Sequence, residues 1–272
     1  MKENQKSIKE FQTEILRNYT NHGRVLPWRT DTSAYSIFVS EVMLQQTQVG
    51  RVETKYHEFL RAFPDFTSLS RASLSEIYAV WQGMGYNRRA KYLKDAACLI
   101  ETQYKGKLPQ NVESLDALPG IGHATASSIA AFAFNLPTVF IETNIRSVFI
   151  HFFFPKQEKV SDAQIVPLVK KTLDTINPRQ WYWALMDYGA MLKKTNPNPS
   201  RQSRHYQKQS TFEGSNRQLR GKILKLLSQH ARLSHEDLKS LGEKGENRID
   251  SIVKDLISEG LIKKTKGKIS FA

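Results

Sequence analysis

Three stretches of this sequence carry residue types that could do chemistry. In the first, Glu41 interrupts an otherwise hydrophobic run from Ser36 to Leu44. A carboxyl flanked by Val39, Val42 and Met43 is open to desolvation, which favours the protonated acid and keeps a proton available at neutral pH. On the wet side of a helix the same residue would be an ordinary surface acid. Gln45-Gln46-Thr47-Gln48 follows, four uncharged hydrogen-bonding residues that suit base edges or an inserted wedge better than a core. The second stretch, Leu118-Pro119-Gly120-Ile121-Gly122, is a Gly-framed turn leading into the small-residue run Ala124 to Ala131. Two glycines two apart permit positive φ and close approach of another surface. Unpaired amides at the start of the following helix form an anion site; a plain helix-to-helix connection is the alternative use of such a turn. The third stretch, Glu142-Thr143-Asn144-Ile145-Arg146, places an acid twenty residues beyond Gly122, at the start of the next helical pattern.

Composition narrows the partner. With 40 Lys and Arg against 26 Asp and Glu, the 272 residues carry a net charge of +14. A polyanion is therefore the leading partner, and nucleic-acid phosphate the leading anion for the Gly turn. Hydrophobic residues make up 40%, enough for a real core, and the length suits two compact domains or one plus an appendage. The single cysteine, Cys98, sits in a helical pattern and leaves no internal disulfide and no four-thiolate metal or iron–sulfur site. Met1 to Lys6 has no apolar segment behind it, so no secretory signal is expected. No apolar run reaches the roughly 18 residues of a membrane span.

Helices position these stretches. Ile8, Phe11, Ile15 and Leu16 share one face of a helix over 7–21, which Gly23 ends. His22 to Thr32 reads as a loop containing Leu26-Pro27-Trp28-Arg29, where Trp28 and Arg29 could either anchor the loop or meet bases. Asp31 or Ser33 caps a helix carrying Ala34 to Gln45. Val52 to Phe63 and Ser73 to Trp81 read as helices joined by a loop opening at Pro64-Asp65-Phe66. Gly83-Met84-Gly85-Tyr86 is a turn, and Asn87 caps the basic helix from Arg88. Val112 to Leu118 leads into the Gly turn, Val148 to Phe154 reads as buried helix, and Ser161 to Ile176 and Trp181 to Leu192 as further helices. Lys193 to Arg204 has no acidic residue and two prolines. From Gly214 three helical patterns (Arg217 to Gln229, Ser234 to Leu241, Glu246 to Glu259) precede a hairpin flanking Gly267, a winged-helix-like order.

Taken together, the Leu118–Gly122 turn, the small-residue helix, Pro137 and the acid with Asn two further on resemble the helix-hairpin-helix DNA glycosylases of the endonuclease III and MutY superfamily. Leu26-Pro27-Trp28-Arg29, Ser40-Glu41-Val42-Met43-Leu44-Gln45-Gln46-Thr47-Gln48-Val49, Gly83-Met84-Gly85-Tyr86 and Met186-Asp187-Tyr188-Gly189-Ala190-Met191 follow the MutY adenine glycosylases in order and spacing, over roughly residues 8 to 192. The resemblance implies an all-α, bilobal fold. One lobe would comprise 1–29 with 138–210, and a six-helix lobe would span 30–137, with the helix-hairpin-helix at about 111–131. DNA would lie across the cleft between them, with a small winged-helix-like domain at 211–272. It also implies hydrolysis of the N-glycosidic bond of a flipped adenine opposite 8-oxoguanine or guanine. Glu41 is then the proton donor and Glu142, with Asn144, the carboxylate facing the sugar cation, a division of labour parallel to glycoside hydrolysis. Trp28, Arg29, Gln46, Thr47, Met84, Tyr86, Arg88, Gly120, Gly122 and His123 are the expected DNA contacts, Met84 and Tyr86 wedging into the duplex with help from Gln46 and Thr47. The implied partner is double-stranded DNA with a mispaired or damaged base, bound by a cytoplasmic, nucleoid-associated monomer with no membrane partner.

Four departures qualify the match. The family's acid after the hairpin is normally Asp, and Glu142 is longer by one methylene. Ala124 stands where bifunctional relatives have a Schiff-base lysine, so lyase activity is not expected. Lys193, Ser200 and Ser203 fill places where relatives often carry cluster-binding cysteines, so no iron–sulfur cluster is expected; the analogy allows at most an alkali-metal ion on hairpin carbonyls. A larger C-terminal domain of the kind that helps MutY enzymes read 8-oxoguanine is not expected here. Excision of thymine, uracil or another damaged base, and a DNA-binding module without catalysis, remain alternatives.

Overall fold

The computed structural model describes residues 2–195, 198–208, 211–239 and 246–272. The chain runs through α1 (Lys2–His22), α2 (Pro27–Thr30), α3 (Ala34–Leu44), α4 (Val49–Ala62), α5 (Phe66–Arg71) and α6 (Leu74–Trp81). It continues through α7 (Arg88–Tyr104), α8 (Val112–Asp116), α9 (His123–Phe134), α10 (Thr143–Phe153), α11 (Asp162–Thr172) and α12 (Pro178–Thr195). A 3-10 turn (Pro199–Gln202) then precedes α13 (Asn216–Gln229), α14 (His235–Lys239), α15 (Glu246–Ser258) and the antiparallel hairpin of β1 (Ile262–Thr265) and β2 (Lys268–Phe271), which pairs Ile262 with Phe271. That hairpin is the one sheet among the described residues, so the all-α expectation holds. No helix of the described residues is long and apolar enough to cross a membrane.

Local sequence explains most boundaries, including those read differently above. The loop expected after Pro64 contains α5, because Asp65 accepts the Ser68 amide while the Ser68 hydroxyl faces back to the Asp65 backbone, a reciprocal capping box. Ser73 with Glu76 does the same for α6, and Ser161 with Gln164 for α11. Within the expected loop 22–32, Pro27 opens α2 at the position where its missing N–H costs nothing. Asn87 does not cap α7 through its side chain. The 161–176 pattern stops at Thr172, and Pro178 starts α12 three residues before Trp181. Residues 240 and 241, the end of the expected Ser234–Leu241 pattern, lie outside the described residues.

By compactness the chain divides into two units: residues 1–38, 110–117 and 121–208, and residues 39–109, 118–120 and 209–272. In the first, Phe11 and Ile15 of α1 insert among the aromatic side chains of α10 and α12, with Phe11 edge-on to Phe152, Phe153 and Trp181. Burying side chains of this size contributes about 1.5–3 kcal/mol each, which is how the amphipathic α1 docks. In the second, Trp81 and Phe59 centre the core of α4 and α6. The C-terminal helices join this unit through Tyr78 stacked on Phe271, and the Gln82 side chain donating to the Ser228 hydroxyl.

A buried carboxylate locks the first unit. Asp187 on α12, 5% exposed, accepts from the Arg24 backbone N–H and Nε, and from both terminal nitrogens of Arg29 at 2.8 Å. Burial alone would raise its pKa, but the hydrogen bonds and charges of Arg29 and Arg24 outweigh that, and the carboxyl lies below the ordinary aspartate value. A depressed folded-state pKa contributes stability that is present above about pH 4 and lost as pH falls through the folded value. Asp187→Asn is expected to cost about 3–5 kcal/mol at neutral pH, because it leaves buried guanidinium charge uncompensated. In urea unfolding series the gap between wild type and variant should narrow below pH 4; a gap that stays constant into acid would sink this account.

Candidate active site

Glu41 sits on the last turns of α3, half-buried, with Val39, Ser40, Val42 and Met43 around it fully or nearly buried. The apolar flanks that motivated its selection are thus the helix's core contacts. Beyond it the chain turns through Gln46, which is exposed and holds φ +55°. The Gly83–Tyr86 turn likewise carries positive φ at Gly83, Gly85 and Tyr86. Left-handed backbone is uncommon for residues such as Gln and Tyr and is often kept where a side chain must be aimed.

Arg89, in the first turn of α7, ties these two turns together. Its side chain is buried and donates to the carbonyls of Val42 at 2.8 Å and Met43 at 2.7 Å, and to the Thr47 hydroxyl at 2.8 Å. It also reaches the Met84 and Gly85 carbonyls at 3.3 and 3.2 Å, and its guanidinium lies over the rings of Trp81 and Tyr86. Burial pulls its pKa down to about 10. One planar, five-donor group thus donates to two carbonyls in the last turn of α3 and fixes the turn next door. Gly120 belongs to the same unit; its carbonyl accepts from Gln45 Nε2 at 3.1 Å. Its φ is +76°, and a Cβ there would lie 2.5 Å from Tyr92, so both backbone and packing require glycine. Across the turn, Gly122 is the N-cap of α9 without any side-chain cap, and Gly122, His123 and Ala124 are exposed, leaving the helix-end amides accessible.

Glu142 and Asn144 are in the first unit, half-buried at the start of α10. Glu142 is the N-cap: Oε1 accepts from the backbone N–H of Asn144 at 2.7 Å and of Ile145 at 2.8 Å, and Oε2 accepts from Asn144 Nδ2 at 3.2 Å. The extra methylene relative to Asp therefore does not prevent capping, and the helix dipole favours negative charge at this end. Asn144 Oδ1 in turn accepts from Lys193 Nζ at 2.7 Å. Burial draws the Lys193 ammonium below the usual lysine range, with the Glu142 charge opposing the shift and that of Arg146 adding to it. Gly189 allows this approach of α12 to α10, since a Cβ there would lie 2.5 Å from the Asn144 carbonyl oxygen.

Several expected contact residues take other positions. Trp28 is 5% exposed, and the Arg29 side chain is committed to Asp187 with its guanidinium over Trp183, so both anchor the fold and neither presents a side chain outward. Met84 is 1% exposed, packed inside the turn expected to project it. Thr47 is half-buried against Arg89, and Arg88 forms an ion pair with Glu259 near the end of α15. Tyr86 is half-buried and its hydroxyl accepts from Arg217 of α13 at 3.1 Å. Of the wedge group, Gln46 is the fully exposed member. Sequence reasoning passed over Arg89, Asp187 and Lys193 as functional groups; Arg89 reads no differently from Arg88 beside it. The places of the cluster-binding cysteines do not fit a cluster. Lys193 holds Asn144, Ser200 bonds Asn198, and the Ser203 hydroxyl accepts from the His205 backbone N–H.

Two substitutions test this geometry. Arg89→Met should cost about 2–4 kcal/mol in chemical unfolding, since it removes the guanidinium donors that the Val42 and Met43 carbonyls and the Thr47 hydroxyl accept from; a loss under about 0.5 kcal/mol would show the clamp to be dispensable. Gly189→Ala should cost about 1–3 kcal/mol through overpacking against the α10 backbone, and unchanged stability would mean that α12 can shift freely.

Residues 39–169 match the HhH-GPD superfamily base excision DNA repair proteins. An adenine DNA glycosylase of Buchnera aphidicola is 35% identical over 69% of this chain and 54% of its own length, and one of Mycolicibacterium smegmatis 36% identical over 65% and 61%. The human adenine DNA glycosylase is 33% identical over 67% of the chain and 36% of its own length. The chain thus spans about half the length of the curated bacterial relatives it matches, and less of the human one. Among solved structures, a thermostable thymine-DNA glycosylase superposes with TM-score 0.62 at 24% identity, covering 69% of this chain and 88% of that one. A trapped endonuclease III–DNA covalent intermediate superposes with TM-score 0.54 at 18% identity, covering 69% and 84%. Residues 39–169 thus match the HhH-GPD superfamily of base excision DNA repair proteins in sequence, and the chain shares its fold with solved DNA glycosylases.

Proposed function

We propose that this protein is a monofunctional DNA glycosylase that removes adenine mispaired with 8-oxoguanine or guanine. What supports the reading is a Glu142 already fixed by three hydrogen bonds, with Glu41 as the acid in the second unit, in a chain whose relatives at 33–36% identity are adenine DNA glycosylases. A base inside a duplex must be extruded before its glycosidic bond is reachable. Glu41 gives its proton to the departing adenine, so that the electron pair of the C1′–N9 bond leaves on a neutral base. The sugar becomes oxocarbenium-like, and the Glu142 carboxylate, held by the α10 amides and Asn144, stabilises that positive charge until water adds at C1′ and releases a proton. The exposed amides at the start of α9 and the Gly120 turn hold backbone phosphate, and Gln46 and Tyr86 act on the strand around the extruded base. A single cysteine offers no ligand set for an iron–sulfur cluster, and the reaction is assigned to these side chains without one. The C-terminal helices and hairpin form a winged-helix-like module in this reading.

Single-turnover excision on duplexes holding adenine opposite 8-oxoguanine or guanine, beside G·T and G·U, tests the proposal. Adenine release that Glu41→Gln reduces by a factor of about 10²–10⁴, the usual worth of a general acid, is the expected result. Glu142→Asn should slow release to a similar degree. Tight duplex binding with no base released from any of these substrates would replace the enzyme with a DNA-binding module, and release of thymine or uracil alone would redirect it.

A further inference from the structure

The amide of Asn144 stands between two charged groups. Its Nδ2 donates to Glu142 Oε2 at 3.2 Å, and its Oδ1 accepts from Lys193 Nζ at 2.7 Å. An asparagine side chain alone can present either end to a neighbour, because its oxygen and NH₂ group have nearly the same shape. A lysine ammonium has three donors and no acceptor, so whatever faces it must be the oxygen. With Lys193 on one side, the NH₂ is left on the other, where Glu142 needs a donor. Lys194, one residue further on, is exposed and would serve the α12 C-terminus equally well as a helix-end cation. Lys193 instead gives up solvent, and Gly189 one turn earlier lets the α12 backbone come close enough for it to reach. The remaining charge facing this group, Arg146, is engaged by Asp162 of α11.

We propose that Lys193 is a positioning residue for the Glu142 carboxylate, acting through Asn144. The proposal rests on the reading of Glu142 as the group that meets the sugar cation. Lys193 fixes which end of Asn144 faces Glu142, and Asn144 fixes Oε2. With Oε1 already on two backbone amides, the carboxylate has one orientation before any duplex arrives. This compensates for the longer side chain of Glu142: an added rotatable bond would otherwise scatter the oxygens, and an error of about 1 Å costs on the order of a hundredfold in rate.

The test compares wild type with Lys193→Met, Lys193→Arg and Lys193→Gln, each with and without Asn144→Ala. Readouts are single-turnover base release and affinity on an adenine·guanine duplex, and the Asn144 side-chain amide signals in ¹⁵N NMR. Lys193→Met should slow release about 10- to 100-fold with duplex affinity unchanged, and should shift the Asn144 amide pair. Lys193→Arg, still donor-only, should restore most of the rate. Lys193→Gln, which can present an oxygen and let the amide turn over, should not. In the Asn144→Ala background the Lys193 substitutions should add little, the mark of one shared pathway. A wild-type rate in Lys193→Met, an undiminished effect without Asn144, or unmoved Asn144 amide signals would each overturn the proposal. Should Lys193→Met fail to fold, Lys193→Gln against Lys193→Arg carries the same comparison. A wild type that releases no base from any duplex would defeat the assigned reaction, and the amide signals would then decide by themselves whether Lys193 sets Asn144.

Discussion

A buried guanidinium is the constraint on which the second unit depends. Arg89 has been taken out of water at a cost large enough to depress its own pKa, and it is kept there by carbonyls at the end of α3 and in the Gly83–Tyr86 turn. A helix end buried without partners is unfavourable, and so is a buried charge. Here each solves the other's problem. The helix that carries Glu41 ends at a point set by the same group that shapes the turn of Tyr86, so Glu41 and the strained turn keep a fixed relation.

The first unit meets the same problem with the signs reversed. Asp187 is the buried charge, and Arg24 and Arg29 come from the segment after α1 to meet it. This ion pair joins the start of the chain to α12, and α12 in turn brings Gly189 and Lys193 against Asn144 at the head of α10. Long-range order therefore converges on a helix N-terminus, where partial positive charge and free amides favour a carboxylate. Glu142 is placed by that local field and its orientation is refined by side chains from far along the sequence.

The departures from the family pattern are physically connected. One extra methylene at Glu142 is accommodated by the capping geometry, and a lysine at a place where relatives often have a cluster-binding cysteine reaches the neighbouring amide. The segment after α12 is held by ordinary hydrogen bonds, with Val160 N–H donating to the Gln202 carbonyl and Arg204 N–H to the Val160 carbonyl.

The sequence by itself determined the helical class, the approximate extent of most helices and the Gly120 turn, and it singled out Glu41, Glu142 and Asn144 as candidates. These depend on local properties: periodicity, capping residues, glycine's backbone freedom and a carboxyl set among apolar neighbours. It also placed three helices and a hairpin at the C-terminus. The tertiary structure alone decided which of two adjacent arginines, Arg88 or Arg89, is interior, that Trp28, Arg29 and Met84 pack inward, and that Lys193 meets Asn144. Those outcomes depend on partners 40 to more than 150 residues away, and a side chain's type does not say which distant carbonyl or carboxylate will arrive beside it. Composition can announce that a charge must be satisfied; only packing chooses by what.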